Sequence, residues 1–187
     1  MKGLAVAEER LPGRLEDDLA EARAGSREAF DRLTLRFEPQ VMRTALFLLR
    51  NVADAEDAAQ EVYVRIFRNL DRCRAPDKIG GWVYRITVNA CRDVQRRRRL
   101  WAPLRAVKSA IWPPDPVSER EFGGRLAEAL ARLSLNQRAA FILGELEGLE
   151  TSEVAAILGC APVTVRGYLH EARQKLRREF RDLRSEP

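Results

Sequence analysis

One histidine and three cysteines in 187 residues leave little material for metal or nucleophilic chemistry. Cys73, Cys91 and Cys160 are odd in number and far apart, which excludes a disulfide framework and a CxxC metal pair. His170 has no second histidine at ligand spacing, and no glycine-rich loop is present to cradle a phosphate. Asp54, Glu56 and Asp57 are explained by the electrostatics of a helix start rather than by acid–base work. The sequence thus names no catalytic or metal-binding residue and calls for no cofactor. Also missing is any run of about 18 apolar residues, the length a membrane span needs. The first residues, MKGLAVAEERLPGRLEDD, have too short an apolar core for a signal peptide. A cytoplasmic protein without membrane insertion is expected.

What is abundant is charge. Charged residues make up 33% of the chain and apolar residues 45%, with a net charge of +5. The isoelectric point near 9.5 points to a polyanionic partner rather than an acidic small molecule. Of the 33 basic residues only Lys2, Lys78, Lys108 and Lys175 are lysines; the other 29 are arginines. Arginine grips phosphate in a bidentate fork and stacks on bases, although a GC-rich genome would produce the same bias.

Strand signals are nearly absent, and 3.6-residue periodicity predicts an all-α chain. Helices are expected at about 15–24, 27–50 with a bend or break near Pro39, 54–69, 80–98, 119–132, 135–147, 151–158 and 162–182. The segment WAPLRAVKSAIWPPDPVSE, with four prolines, resists helix formation. It reads as an extended linker, 100–118, between two small helical domains at 14–99 and 119–183.

The second domain carries the sharper signal. In TSEVAAILGCAPVTVRGYLHEARQKLRREF, Gly159 suits the left-handed residue that ends a helix, and Pro162 suits the first turn of the next. On that next helix Val165, Leu169, Ala172 and Leu176 form a buried stripe, with Arg166, Gly167, His170, Gln174 and Arg177 opposite. Ala155, Gly159 and Val165 fit a helix-turn-helix, whose second helix enters the major groove. Gly167 would let the groove wall approach the backbone. The competing description is a plain helical hairpin with a solvated basic face.

In the first domain, GGWVYRITVNACRDVQRRRR places Val83, Ile86, Ala90 and Val94 inward. Trp82, Arg85, Asn89, Arg92 and Arg96 fall on another face, ahead of Arg97, Arg98 and Arg99. Cations, an amide and an aromatic together suit a phosphate backbone with unpaired bases. Trp82 and Tyr84 filling the core beside solvated arginines is the alternative. Upstream, DAEDAAQEVYVRIFRNL is expected to bury Ala55, Ala58, Ala59, Val62, Ile66 and Phe67 and to expose Asp57, Glu61, Arg65 and Arg68.

These segments, in this order and joined to LSLNQRAAFILGELEGLE, resemble bacterial RNA polymerase sigma factors of the sigma-70 family, extracytoplasmic-function (ECF) group. The resemblance covers about residues 15–99 and 125–180. It implies a sigma2-like helical bundle and a sigma4-like helix-turn-helix domain. It also implies a promoter-specificity subunit that binds core RNA polymerase, recognises −35 and −10 elements and nucleates promoter melting. By the resemblance, Trp82, Arg85, Asn89, Arg92 and Arg96 face the −10 element, with the loop Arg72 to Gly80 as a base-capturing pocket. Thr164, Arg166, Gly167, His170 and Glu171 face the −35 element, and Asp57, Gln60, Glu61 and Arg65 face polymerase. An anti-sigma factor is an implied partner. The chain departs from the family pattern at Glu150, where a Ser or Thr often caps, at Gly167, where serine is frequent, and at Glu171, where a base is frequent. A helix-turn-helix repressor and a nucleic-acid enzyme are the rival readings, the latter weakened by the missing ligand sets.

Overall fold

The computed structural model describes residues 14–73, 76–101 and 129–182. Side chains beyond Arg178 are not among those described; of the expected linker, 100–101 continue the helix before it, and 102–118 and most of the helix expected at 119–132 lie outside the described residues. Those described form helices and turns, with no strand among them. The helices are α1 (Leu15–Arg23), α2 (Arg27–Leu49), α3 (Val52–Asn69), α4 (Ile79–Trp101), α5 (Leu135–Phe141), α6 (Thr151–Leu158) and α7 (Pro162–Asp182).

Local chemistry sets the boundaries. Ser26 opens α2 by accepting from the Ala29 amide at 3.2 Å, and Asn51 opens α3 by accepting from the Asp54 amide at 2.9 Å. Between α2 and α3 the chain reverses through two residues, Arg50 (φ 57°) and Asn51. Ser134 and Gln137 form a reciprocal capping box at α5. At α6 the Glu153 carboxylate accepts from the Glu150 amide at 2.9 Å, the return half of a capping box.

Three expectations need correction. The break considered at Pro39 does not occur, since α2 is one helix from Arg27 to Leu49. Pro39 is exposed, so the carbonyl it deprives of a donor faces solvent rather than the core. The helix expected over 135–147 is α-helical only to Phe141 and then widens into a π-helical turn, Ile142–Leu146. Phe67 is also misplaced by the periodicity: it is 67% exposed. The stripe Ala55, Ala58, Ala59, Val62 and Ile66 is buried as expected, but Phe67 points about 100° from Ile66. Its ring instead meets Phe30 edge-on, centroids 5.1 Å apart.

The apolar core does not stop at the domain boundary. Leu33, Phe37, Val41, Val62, Val83 and Val88 of the first lobe share one buried cluster with Ala139, Leu143, Val154, Val165 and Leu169 of the second. A smaller cluster joins Ala129, Leu130 and Leu133 to Ala172 and Leu176. Charge crosses the same junction. Buried Arg138 donates to the carbonyls of Leu130 (2.9 Å), Leu133 (3.1 Å) and, across the junction, Leu48. Burial and the neighbouring Arg50 push Arg138 down to about 10, so it remains a cation at neutral pH.

Asp18, 1% exposed on α1, clamps α1 to α2 by accepting from Arg32 Nε at 2.6 Å and Arg36 Nη2 at 3.4 Å. Removing one member of a buried pair costs about 3–5 kcal/mol. Asp18→Ala is therefore expected to destabilise the protein by about 3 kcal/mol in urea unfolding; a change below about 1 kcal/mol would rule out that clamp. Burial, with Asp54 adding to it, pushes the Cys91 thiol up to about 12, and Cys73 is also buried. Iodoacetamide at neutral pH should label half-buried Cys160 and spare Cys91 and Cys73 until the fold is opened, as read by peptide mass mapping.

Candidate nucleic-acid interface

α7 presents the face its sequence predicts. Val165, Leu169, Ala172 and Leu176 are buried, whereas Arg166, Gly167, His170, Gln174 and Arg177 are exposed. Thr164 is half-buried. Gly159 (φ 70°) turns the chain between α6 and α7, its amide donating to Ala155 O at 2.9 Å. His170 Nε2 lies 2.9 Å from Gln174 Nε2, one turn along the same exposed row. A Cβ on Gly167 would meet nothing within 4 Å, so packing inside the protein does not demand glycine there.

Glu171 stands apart from that row in its contacts. Its carboxylate accepts from Gln137 Nε2, while Lys175 Nζ donates to Gln137 Oε1 at 2.9 Å. The Gln137 amide thus holds two residues of α7 against α5. Sequence reasoning missed Gln137, although its place three residues after Ser134 marks it as a capping residue.

On α4 the predicted stripe divides. Arg85 and Arg96 are exposed, and so are Arg97, Arg98 and Arg99. Trp82 is half-buried and packs on the core; Tyr84 is 5% exposed. Val83, Ala90 and Val94 are buried and Ile86 is half-buried at the core's edge. Asn89 and Arg92 are half-buried, and the second lobe lies against Arg92. Arg92 Nη1 donates to Asn89 Oδ1 at 3.1 Å. Its Nη2 donates to Asn136 Oδ1 at 3.1 Å and to the Leu158 carbonyl at 3.2 Å. Nearby, Glu147 accepts from Arg43 Nε and Nη2, both at 2.8 Å, and from the Tyr84 hydroxyl at 2.6 Å. Burial, reinforced by that hydrogen bond, pushes the Tyr84 hydroxyl far above its ordinary range.

The loop Arg72 to Gly80 is described on either side of residues 74–75, as short 3₁₀ turns at Leu70–Arg72 and Pro76–Lys78. On α3, Asp57 and Gln60 are exposed and Glu61 and Arg65 half-buried. Arg65 bridges Glu61 (2.8 Å) and Asp93 of α4 (2.9 Å), and Asp93 also pairs with Arg96 at 3.0 Å. Among the described residues no cluster of three or more His, Cys, Asp or Glu can hold a metal, and no helix is long and apolar enough to cross a membrane.

The family models Sigma-70 region 2 and Sigma-70, region 4 match residues 33–100 and 123–176. The chain is similar to the ECF RNA polymerase sigma factor SigM of Mycobacterium tuberculosis, 35% identical over 156 residues, covering 83% of this chain and 79% of that protein. It is also similar to the ECF RNA polymerase sigma factor SigW of Bacillus subtilis, 25% identical over 179 residues and covering 88% and 96%. Among solved structures, CnrH in complex with the cytosolic domain of CnrY matches with a TM-score of 0.65 and 28% identity, over 88% of this chain and 96% of CnrH. The sigma factor RpoE of Bartonella quintana, solved with the anti-sigma factor NepR, shares the fold at a TM-score of 0.68 and 24% identity, over 81% and 96%. With both matched regions in order on two helical lobes, the chain belongs to the sigma-70 family, in its ECF RNA polymerase sigma factor group.

Proposed function

We propose that this chain is a dissociable, non-catalytic specificity subunit of RNA polymerase that acts in the cytoplasm, reads −35 and −10 promoter elements and starts promoter melting. The observation carrying this reading is the pair of exposed arginine-bearing helix faces, α4 with Arg85 and Arg96 and α7 with Arg166 and Arg177, each face opening within a matched sigma region. The first lobe, 14–99, opens the −10 element and docks on polymerase through Asp57, Gln60, Glu61 and Arg65. The second, 119–183, reads the −35 element, and residues 100–118 link them.

The two faces call for different chemistry. α7 offers Arg166, which can take guanine O6 and N7 in a bidentate grip, and His170 one turn further on. Glu171, committed to Gln137, serves to seat the helix. α4 combines arginines with Asn89 and Trp82, suited to a strand whose bases have left the stack. Melting then proceeds by capture. Binding of the unpaired bases offsets unstacking of a few kcal/mol per step, with no nucleotide hydrolysis. Riding on one polymerase, each lobe raises the effective concentration of the other at the adjacent element. The solved relatives bound to CnrY and NepR support an anti-sigma partner for this chain as well.

Transcription in vitro tests the reading. Purified chain added to core polymerase is expected to give promoter-dependent starts on genomic templates, and their absence on every template would reject it. Arg166→Ala should weaken promoter binding by roughly tenfold and relax sequence preference at one upstream position. Asn89→Ala should leave duplex binding largely intact and slow strand opening about fivefold, read by permanganate reactivity of thymines. Equal loss of both steps in the Asn89 variant would contradict its assignment.

A further inference from the structure

We infer that Arg23 and Gln40 are positioning residues for strand opening: gripping the two ends of the loop between α3 and α4, they hold the base-capturing pocket in shape before DNA arrives. The inference rests on the reading of the loop Arg72 to Gly80 as that pocket.

The near end of the loop is tied to α1. Arg23 Nη2 donates to the Cys73 carbonyl, across 50 positions of sequence. Arg23 stands in the last turn of α1, where the helix dipole favours a cation whatever it touches. The dipole alone would leave so long a side chain in solvent, whereas this one is half-buried and committed to a loop carbonyl. Asp18 gives the grip a firm base, because its bonds to Arg32 and Arg36 fix α1 on α2. The Cys73 side chain is buried, and its amide donates to Leu70 O at 3.1 Å, closing the 3₁₀ turn Leu70–Arg72. Amide, carbonyl and side chain of Cys73 are thus all held.

The far end is tied to α2. Gln40, buried in the middle of that helix, donates through Nε2 to the Gly80 carbonyl at 3.2 Å, 40 positions away. An apolar residue would fill a core position without further demands, but a buried amide must find a partner. Gly80 lies in the first turn of α4 beside Ile79, itself buried. The bond therefore sets where α4 begins against α2, and with it where the loop ends. Between these two ends Arg72, Asp77 and Lys78 are exposed, and Pro76, its φ fixed by its ring, is half-buried.

Holding both ends has an energetic consequence. A loop that orders only on binding loses conformational entropy at that moment, which weakens its affinity for the captured base. A loop already ordered binds without that loss. α1 precedes the residues 33–100 that match Sigma-70 region 2. The helix therefore gives the strand-opening lobe a working part from outside the matched region.

The test uses full-length Arg23→Met and Gln40→Met, which keep side-chain bulk and lose the donor. In the free protein, amide exchange in the peptide spanning 70–80 should quicken roughly tenfold in either variant, with a peptide from α7 unchanged. Each protein is then joined to core polymerase and offered a fork-junction DNA built from a mapped start. Its non-template −10 nucleotides are made abasic one at a time. Wild type should lose about tenfold in affinity at the captured base, and the variants less than about twofold there. At the other positions variant and wild type should respond alike. Arg23→Lys, which keeps a cationic donor, should recover most of both readings. Should Gln40→Met fail to fold, Arg23→Met, at a half-buried position, decides the matter by the same readings. Unchanged exchange at 70–80 would overturn the grip, and quickened exchange with the full abasic penalty would overturn its part in base capture. A wild-type complex indifferent to every abasic site would sink the pocket reading itself and the proposal with it, whatever the exchange shows.

Discussion

Arg138 and Glu147 are both buried where the lobes meet, and both have hydrogen-bond partners on the far side of the junction. Burying an ionised group without such partners is prohibitive. The geometry of the junction is consequently fixed by where those partners lie: the Leu48 carbonyl at the end of α2, Arg43 earlier on the same helix, and Tyr84 on α4. Apolar contact between the lobes is non-directional and tolerates sliding. The charged contacts do not, because a shift of even about 1 Å lengthens a 2.8 Å hydrogen bond past its useful range. The shared core supplies most of the adhesion between lobes, and the charged pairs select one registry.

Arginine serves two roles in this chain, separated by burial. Arg36 and Arg138 are inside and hold helices together; Arg85, Arg97 and Arg166 are outside. Half-buried Arg65 and exposed Arg96 both pair with Asp93, which links the proposed polymerase face of α3 to the proposed DNA face of α4. Exposed pairs of this kind contribute only about 0.2–1 kcal/mol. They keep the long side chains extended and soluble without preventing their transfer to a phosphate.

Much of this was legible in the sequence because helical periodicity is local. The stripe Val165, Leu169, Ala172 and Leu176, the stripe through Ile66, the turn at Gly159 and the exposed row of α7 all follow from about 100° per residue and turn chemistry. Phe67 did not, since an aromatic beside a buried stripe carries no sign of whether a neighbour such as Phe30 will accept its edge. The π-turn had no signal either, because ILGEL continues a plausible α-helix. The spacing of Trp82, Asn89 and Arg92 along α4 was legible, yet the contacts on Arg92 come from residues 44 to 66 positions away. Contacts at that separation leave no trace in a periodicity.

The two-residue reversal at Arg50 and Asn51 has a kinetic consequence. It brings α2 and α3 together at almost no loop-closure cost, so this helical hairpin can assemble within the first contacts the chain makes. Arg43 and Glu147, by contrast, are 104 positions apart. During synthesis from the N-terminus, the first lobe is already packed when Glu147 leaves the ribosome. Every new chain therefore passes through a window in which α4 is folded and uncovered.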